Sequence, residues 1–292
     1  MSKTFLSLIY ILIAMLSIQF GASVAKKLFP LAGPAGTTML RVNLAALILF
    51  LIWKPWKKSW TKKQMRTFFY YGASLGFMNL TFYIALEKIP LGIAVALEFT
   101  GPLTLALLSS KRWTDLLWAA LAAAGIWFIL PIAKTQGALD PWGIFFAVLA
   151  GVFWALYIIF GQASGKEGHS GYATSWGMLF AGLVIIPFGL FMNGHQIFIS
   201  SFATELLPIG LIIAVLSSAL PYSLEMMAMK NLPSKSFGIL MSMEPAVASL
   251  MGLLFLREKL SFLQTAGIAC IMMASAGTTW SASREEKVQP VF

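Results

Sequence analysis

The chain has one cysteine, two histidines and very little charge. Cys270 alone cannot close an intrachain disulfide, and no Cys/His grouping has metal-ligand spacing, so neither a metal nor another cofactor is expected. His169 and His195 both fall in stretches that read as loops. Charged residues make up 11% of the chain, where a soluble domain has about 25%. No GxxxxGK[ST] phosphate loop is present, and no polar stretch is long enough to form a domain that would host one. These absences exclude a soluble enzyme, a disulfide scaffold and an ATP-driven machine.

What is present is apolar: 59% of the residues are hydrophobic. Runs of about 20 residues, enough to cross a bilayer, fall near 4–25, 37–53, 67–86, 90–110, 113–132, 142–161, 172–192, 206–228, 235–256 and 260–280. The links between them, such as AKKLFPLAGPAG, KPWKKSWTKKQMR, EKIP and NLPSK, are short and rich in Gly, Pro or charge. The expected fold is therefore an all-α polytopic membrane protein of ten transmembrane helices in a lipid bilayer. Lys3, the apolar run after it and Ser-Val-Ala at 23–25 have the form of a secretory signal. Ten spans need that segment, so it is read as retained.

The net charge of +10 would suit a nucleic-acid partner only if it formed a patch. Instead, Lys and Arg alternate between links, fourteen on the side of the N-terminus and six on the other, with Arg41 inside a span. The positive-inside rule then places both termini in the cytoplasm and leaves no reason to expect nucleic acid.

Two stretches carry the chemistry. PLGIAVALEFTGPL places Glu98 in the middle of the fourth span, and Pro102, which has no N–H, leaves the Glu98 carbonyl without its helical donor. PSKSFGILMSMEPA repeats the pattern with Glu244 beside Pro245. Pro90 to Pro102 and Pro233 to Pro245 are both 12 residues apart, at an offset of 143. The halves 1–132 and 142–280 are accordingly read as two repeats, with 281–292 as a short polar tail. Five spans per half is an odd number, so the second repeat enters the membrane inverted, as in many transporters. TTMLRVNLAALI at 37 and ATSWGMLFAGLV at 173 are a fainter echo of the same duplication.

Ionisable side chains inside a span cost about 2.5–3.5 kcal/mol to insert, so each must face a partner or water. Glu98 and Glu244 lie about two helical turns into their spans, near the midplane. They are either functional acids or members of interhelical hydrogen bonds. Glu225 is close enough to Lys230 and the surface to snorkel. Arg41 can snorkel outward or turn inward as a fixed cation that grips a carboxylate with two parallel bonds. Ser17, Gln19, Asn43, Asn79, Tyr83, Trp154, Tyr157, Ser217, Ser218 and Tyr222 sit at compatible depths and together can line a wet chamber. Pro221 frees the Ser217 carbonyl in the same way, and Pro187 that of Leu183. Gly72 and Gly76 are read as a helix-packing pair.

YYGASLGFMNLTFYIAL, IPLGIAVALEFTGPLTLALLSSKR, SSALPYSLEMMAM, FGILMSMEPAVASL and LREKLS together resemble the ten-helix EamA branch of the drug/metabolite transporter superfamily. The likeness runs along nearly the whole chain. It departs from many members at SSKRWTD, where they repeat an LREKLS-like ending. The resemblance implies an inner-membrane exporter of small amino acids such as threonine and homoserine, driven by exchange with protons.

A zwitterionic substrate suits the residues found at depth. Arg41 would receive its carboxylate, while Glu98 or Glu244 would meet the ammonium when ionised and take a proton after release. The alternative within the class is an exporter of aromatic amino acids, purines or drugs. An intramembrane enzyme with Glu98 and Glu244 as acid and base would need a nucleophile and base together, and the sequence offers no such grouping. A sensor or structural subunit would move no solute.

Overall fold

The computed structural model describes residues 3–109, 114–129, 139–166, 170–199, 206–229 and 240–285, and every regular element among them is helical. Four helical stretches are long and apolar enough to cross a membrane: Leu6–Trp53, Pro141–Gly165, Gly171–Asn193 and Leu207–Glu225. Shorter apolar helices cover Leu91–Leu105, Leu116–Ile129, Glu244–Leu256 and Phe262–Thr278. The outside of the protein is greasy, with Phe191 and Phe262 at 94% and 88% exposure, while Arg41, Glu98 and Glu244 are buried. That reversal is what a lipid solvent selects.

The first two expected spans form one helix, α1 (Lys3–Trp53), and the link AKKLFPLAGPAG is helical apart from Gly33. Straight, 51 residues would reach about 76 Å, more than twice the hydrocarbon thickness. The helix folds back instead. Ser17 bonds the carbonyl of Leu216 and Arg41 that of Ser217, although residues 17 and 41 would stand about 36 Å apart on a straight helix. The reversal is made at Gly33 (φ 63°, ψ 170°), a conformation almost reserved for glycine. Pro34 follows, suited to a first helical turn because it has no N–H to satisfy. Asn193 Oδ1 accepts from the N–H groups of Ala35 (3.1 Å) and Gly36 (3.2 Å), capping the new arm.

After a 3-10 turn at Pro55–Lys57, Thr61 and Gln64 form a capping box that starts α2 (Lys62–Lys88). Next come α3 (Leu91–Glu98) and α4 (Thr100–Ser109), which divide the expected fourth span at Phe99, and α5 (Thr114–Ile129). Asp140 accepts from the N–H groups of Trp142 (2.7 Å) and Gly143 (3.3 Å) at the start of α6 (Pro141–Lys166). The next helix, α7 (Ser170–Ile199), runs on through Pro187 and contains His195, which is therefore not in a loop. Then follow α8 (Leu207–Ala214), a π-helical turn (Val215–Ala219) and α9 (Leu220–Met229). Last are α10 (Glu244–Met251), a second π-helical turn (Gly252–Leu256) and α11 (Phe262–Glu285), which takes in the first residues of the expected polar tail. Pro233, His169, the links around Lys111, Lys134 and Lys230, and 286–292 lie outside the described residues.

All eight residues of α3 are buried, so this short helix is the strut round which the others pack. The second arm of α1 runs antiparallel to α7, bringing Ser175 to Leu49 and Gly182 to Asn43. Gly72 and Gly76 of α2 press on α7 at Gly177 and Ala181, a packing role. A Cβ on Gly125 of α5 would stand 2.7 Å from the Gly267 carbonyl of α11, and one on Gly267 would stand 2.6 Å from that of Gly125. These two helices cross backbone to backbone.

A Gly33→Ala substitution meets both a forbidden φ and the Asn193 side chain. It is expected to cost about 1–3 kcal/mol, seen as a lower melting temperature of the detergent-purified protein. An unchanged melt would mean that the reversal does not depend on this residue.

Candidate functional site

Because Pro221 has no N–H, the helix around it cannot satisfy the Ser217 carbonyl. The chain answers with the π-helical turn at Val215–Ala219, where the Leu220 N–H reaches back to the Val215 carbonyl. Arg41 takes up what is left over. Its Nη1 donates to the Ser217 carbonyl at 3.0 Å and to Ser218 Oγ at 3.2 Å, and its Nη2 donates to Asn79 Oδ1. The guanidinium lies 4.8 Å from the centre of the Tyr83 ring, a cation–π arrangement. Arg41 thus turns inward and is buried, rather than snorkelling to the surface.

Asn79 is itself fixed, since its Nδ2 donates to the Leu75 carbonyl at 2.8 Å. Asn79 and Tyr83 share a face of α2, as their spacing of four requires. Phe29 packs against Tyr83 with the rings tilted and their centroids 5.7 Å apart. From the first arm of α1, Ser17 Oγ donates to the Leu216 carbonyl at 2.6 Å and pins that arm to the same π-helical turn.

The acids come from three elements. Glu244 opens α10 directly after a turn at Ser242 and Met243, and its Oε1 accepts from Gln19 Nε2 at 2.9 Å. Glu98 closes α3 and lies within electrostatic range of both Glu244 and Arg41. Glu225 of α9 is buried and within range of Glu244, so it does not snorkel as its position near Lys230 suggested. One fixed cation and three carboxylates therefore occupy a single interior region.

Three atoms of this cluster are buried without a hydrogen-bond partner, Gln19 Oε1, Arg41 Nε and Glu244 Oε2, and two more, Tyr83 Oη and Ser217 Oγ, have only each other. Among the other described residues only Ser164 Oγ and Trp176 Nε1 are buried without a partner. Native interiors pair the great majority of buried polar atoms. A concentration of unpaired ones in one place marks a site with capacity to bind.

The remaining expected residues lie around it. Tyr222 is within bonding range of Asn79. Trp154 meets Phe99 edge-on at 5.1 Å, beside the break between α3 and α4. Tyr157 stacks on Tyr71 at 5.2 Å and neighbours Tyr222 and Glu225. Asn43 packs on Gly182 of α7 and serves the helix interface.

Two features escaped the sequence reading. Gly21 lets α1 pass so close that a Cβ there would collide with Ser217 Oγ. At one end of the bundle Lys26 Nζ meets Glu258 Oε1 at 2.7 Å, while Glu258 Oε2 accepts the Leu91 N–H at 2.7 Å. Opposite charges at the ends of the first and ninth spans, on the same side by alternation, were the available signal for the second.

The fold and this interior define a class: a polytopic helical membrane protein built round a closed polar site, the organisation of a solute transporter. The chain belongs to the EamA-like transporter family, whose model matches residues 141–280. It is 46% identical over 286 residues to the threonine/homoserine exporter RhtA of Salmonella typhimurium strain LT2, covering 98% of this chain and 95% of that protein. The threonine/homoserine exporter RhtA of Escherichia coli K12 is 45% identical over 284 residues, with 97% and 95% covered. Protein PecM of Dickeya dadantii is 25% identical over 276 residues, with 92% and 91% covered. A solved structure with 15% sequence identity superposes with a TM-score of 0.61 over 97% of this chain and 98% of that one, which supports the fold. Family membership makes the protein a transporter and not an enzyme.

An Arg41→Lys substitution keeps the charge but loses the fork that reaches three acceptors at once. It is expected to lower stability by about 1–3 kcal/mol, more than Ser218→Ala, which removes one acceptor. Thermal melts of both variants in detergent check the order. Equal melts for wild type and Arg41→Lys would show that the fork contributes nothing.

Proposed function

We propose that this protein is a secondary active exporter of small amino acids, threonine and homoserine foremost, working by alternating access and exchange with protons in a bacterial inner membrane. The observation that carries this is the set of unpaired interior atoms. Arg41 Nε is a charged donor suited to a carboxylate, and Gln19 Oε1 and Glu244 Oε2 are acceptors suited to an ammonium. Donor and acceptor groups of this kind in one closed site match an amino-acid zwitterion better than a hydrocarbon-like drug. The relatives named as threonine/homoserine exporters match nearly the whole chain.

In this proposal Arg41, held by Asn79 and Ser218, receives the substrate carboxylate. Gln19 and Glu244, with Glu98 beside them, receive the ammonium. Ser17, Tyr83, Trp154, Tyr157, Tyr222 and Glu225 shape the chamber. Glu98 and Glu244 also carry the proton, because carboxylates sharing one dry region with a cationic substrate cannot all stay ionised once that substrate leaves.

The scaffold would be ten helices in two inverted repeats, 1–132 and 142–280, with both termini in the cytoplasm. Three observations support it: the fold-back of α1 at Gly33, the antiparallel packing of its second arm on α7, and the reciprocal crossing of Gly125 and Gly267. The packed arms carry the related segments TTMLRVNLAALI and ATSWGMLFAGLV. Gly125 and Gly267 correspond at nearly the same offset as the two proline pairs.

The test is threonine and homoserine transport in reconstituted vesicles, with and without an imposed pH gradient. Wild type is expected to accumulate both against their gradients. Glu98→Gln and Glu244→Gln are each expected to lose gradient-driven accumulation. If both variants accumulate like wild type, the two acids do not couple to protons; if wild type moves neither amino acid, the substrate assignment fails.

A further inference from the structure

We propose that Tyr83 and Ser217 form the hydroxyl-recognition subsite of this transporter, selecting amino acids with an aliphatic side-chain hydroxyl over their isosteres that lack one. The proposal rests on the amino-acid exporter reading above and adds to it the group that discriminates between substrates.

Tyr83 Oη and Ser217 Oγ are buried side by side, within reach of each other and of no other hydrogen-bond partner. Both residues are 1% exposed. The Tyr83 ring and the Ser217 backbone are both held in place. The Tyr83 ring is clamped between the Arg41 guanidinium on its face and Phe29 on its flank. Ser217 is fixed through its own carbonyl, which accepts from Arg41, within the turn that Pro221 forces open. The adjacent Ser218 spends its hydroxyl on Arg41, so the two serines divide the work. Gly21 brings the α1 backbone against Ser217 Oγ, since any side chain there would collide with it.

The placement relative to the carboxylate site is what gives the pair its meaning. Tyr83 Oη stands about two ring radii from the ring centre over which Arg41 lies, and the Ser217 backbone is bonded to Arg41 directly. A substrate whose carboxylate meets Arg41 Nε carries its β- or γ-hydroxyl within one amino acid's length of both groups. That hydroxyl can donate to one and accept from the other, filling the capacity beyond the Tyr83–Ser217 contact that an apolar side chain would leave buried and empty. A site built to bond a hydroxyl rejects the analogue without it far more strongly than a hydrophobic pocket rejects an added methylene.

The experiment is competitive flux in vesicles of threonine against valine, and of homoserine against norvaline, pairs that match in shape and differ by the hydroxyl. Wild type is expected to prefer the hydroxylated member of each pair. Tyr83→Phe, which keeps the ring under Arg41, and Ser217→Ala are each expected to lower the threonine-to-valine flux ratio about tenfold, the scale of one lost hydrogen bond to a buried group. Ser217→Thr, which restores a hydroxyl, is expected to recover part of the ratio. Wild-type ratios in both deletion variants overturn the proposal while leaving the exporter reading intact. So does an equal fall in flux of both members, which marks a structural role. Absence of threonine and homoserine flux in wild type overturns the exporter reading and this subsite with it.

Discussion

The bond from Arg41 to the Ser217 carbonyl is the constraint on which the interior is built. A guanidinium stays ionised at any working pH, so once buried it must be surrounded by acceptors or the fold fails. Here the acceptors are one backbone carbonyl, two side-chain oxygens and an aromatic face, drawn from α2 and the π-helical turn. The Ser217 carbonyl is open to this bond because Pro221 has no N–H to offer it. A defect in one helix thus meets the need of another.

The same economy governs the two acids that lie at helix breaks. In lipid an unsatisfied carbonyl costs several kcal/mol, so irregular backbone survives only where protein or water covers it. Pro102 strands the Glu98 carbonyl, and α6 answers with Gly151, where a Cβ would stand 2.6 Å from that oxygen. Glu244 begins a helix after a two-residue turn, so its carboxylate sits at the positive end of α10. Each acid therefore borders a weak point in its helix, buried among neighbours rather than lipid. Charge and backbone irregularity coincide because each needs the same shielding from hydrocarbon.

How much of this was legible follows from which forces act locally. Apolar runs reveal spans because insertion is an additive property of single residues. Proline reveals lost donors for the same reason, which is why the freed carbonyls of Ser217 and Glu98 were visible in the sequence. The reversal inside α1 was placed too broadly, across a whole link, because Lys26, Lys27 and Pro30 look like loop residues. In the structure Lys26 finds Glu258 and Pro30 lies inside the helix, leaving Gly33 to make the turn alone. His195 was misplaced for a related reason: polar residues at a span's end read as a link even where the helix continues. Whether Arg41 faces in or out, and that Gln19 meets Glu244, depend on partners 38 to 225 residues away in the chain. No periodicity encodes those.

Glu258 shows how the far end of the bundle reaches the interior. Its two oxygens serve two elements, one meeting Lys26 of α1 and the other the Leu91 N–H that starts α3. Lys26 also donates to the Ile89 carbonyl at 3.3 Å, so the link before α3 is held from the same side. Because both charges keep some contact with solvent, the pair is worth modest energy by itself. Its leverage is geometric. From Leu91 the wholly buried α3 runs about 12 Å to Glu98, and a helix that short does not bend appreciably under load. Holding one end of that strut therefore fixes where the other end presents its carboxylate, so the surface ion pair and the interior acid are parts of one rigid body.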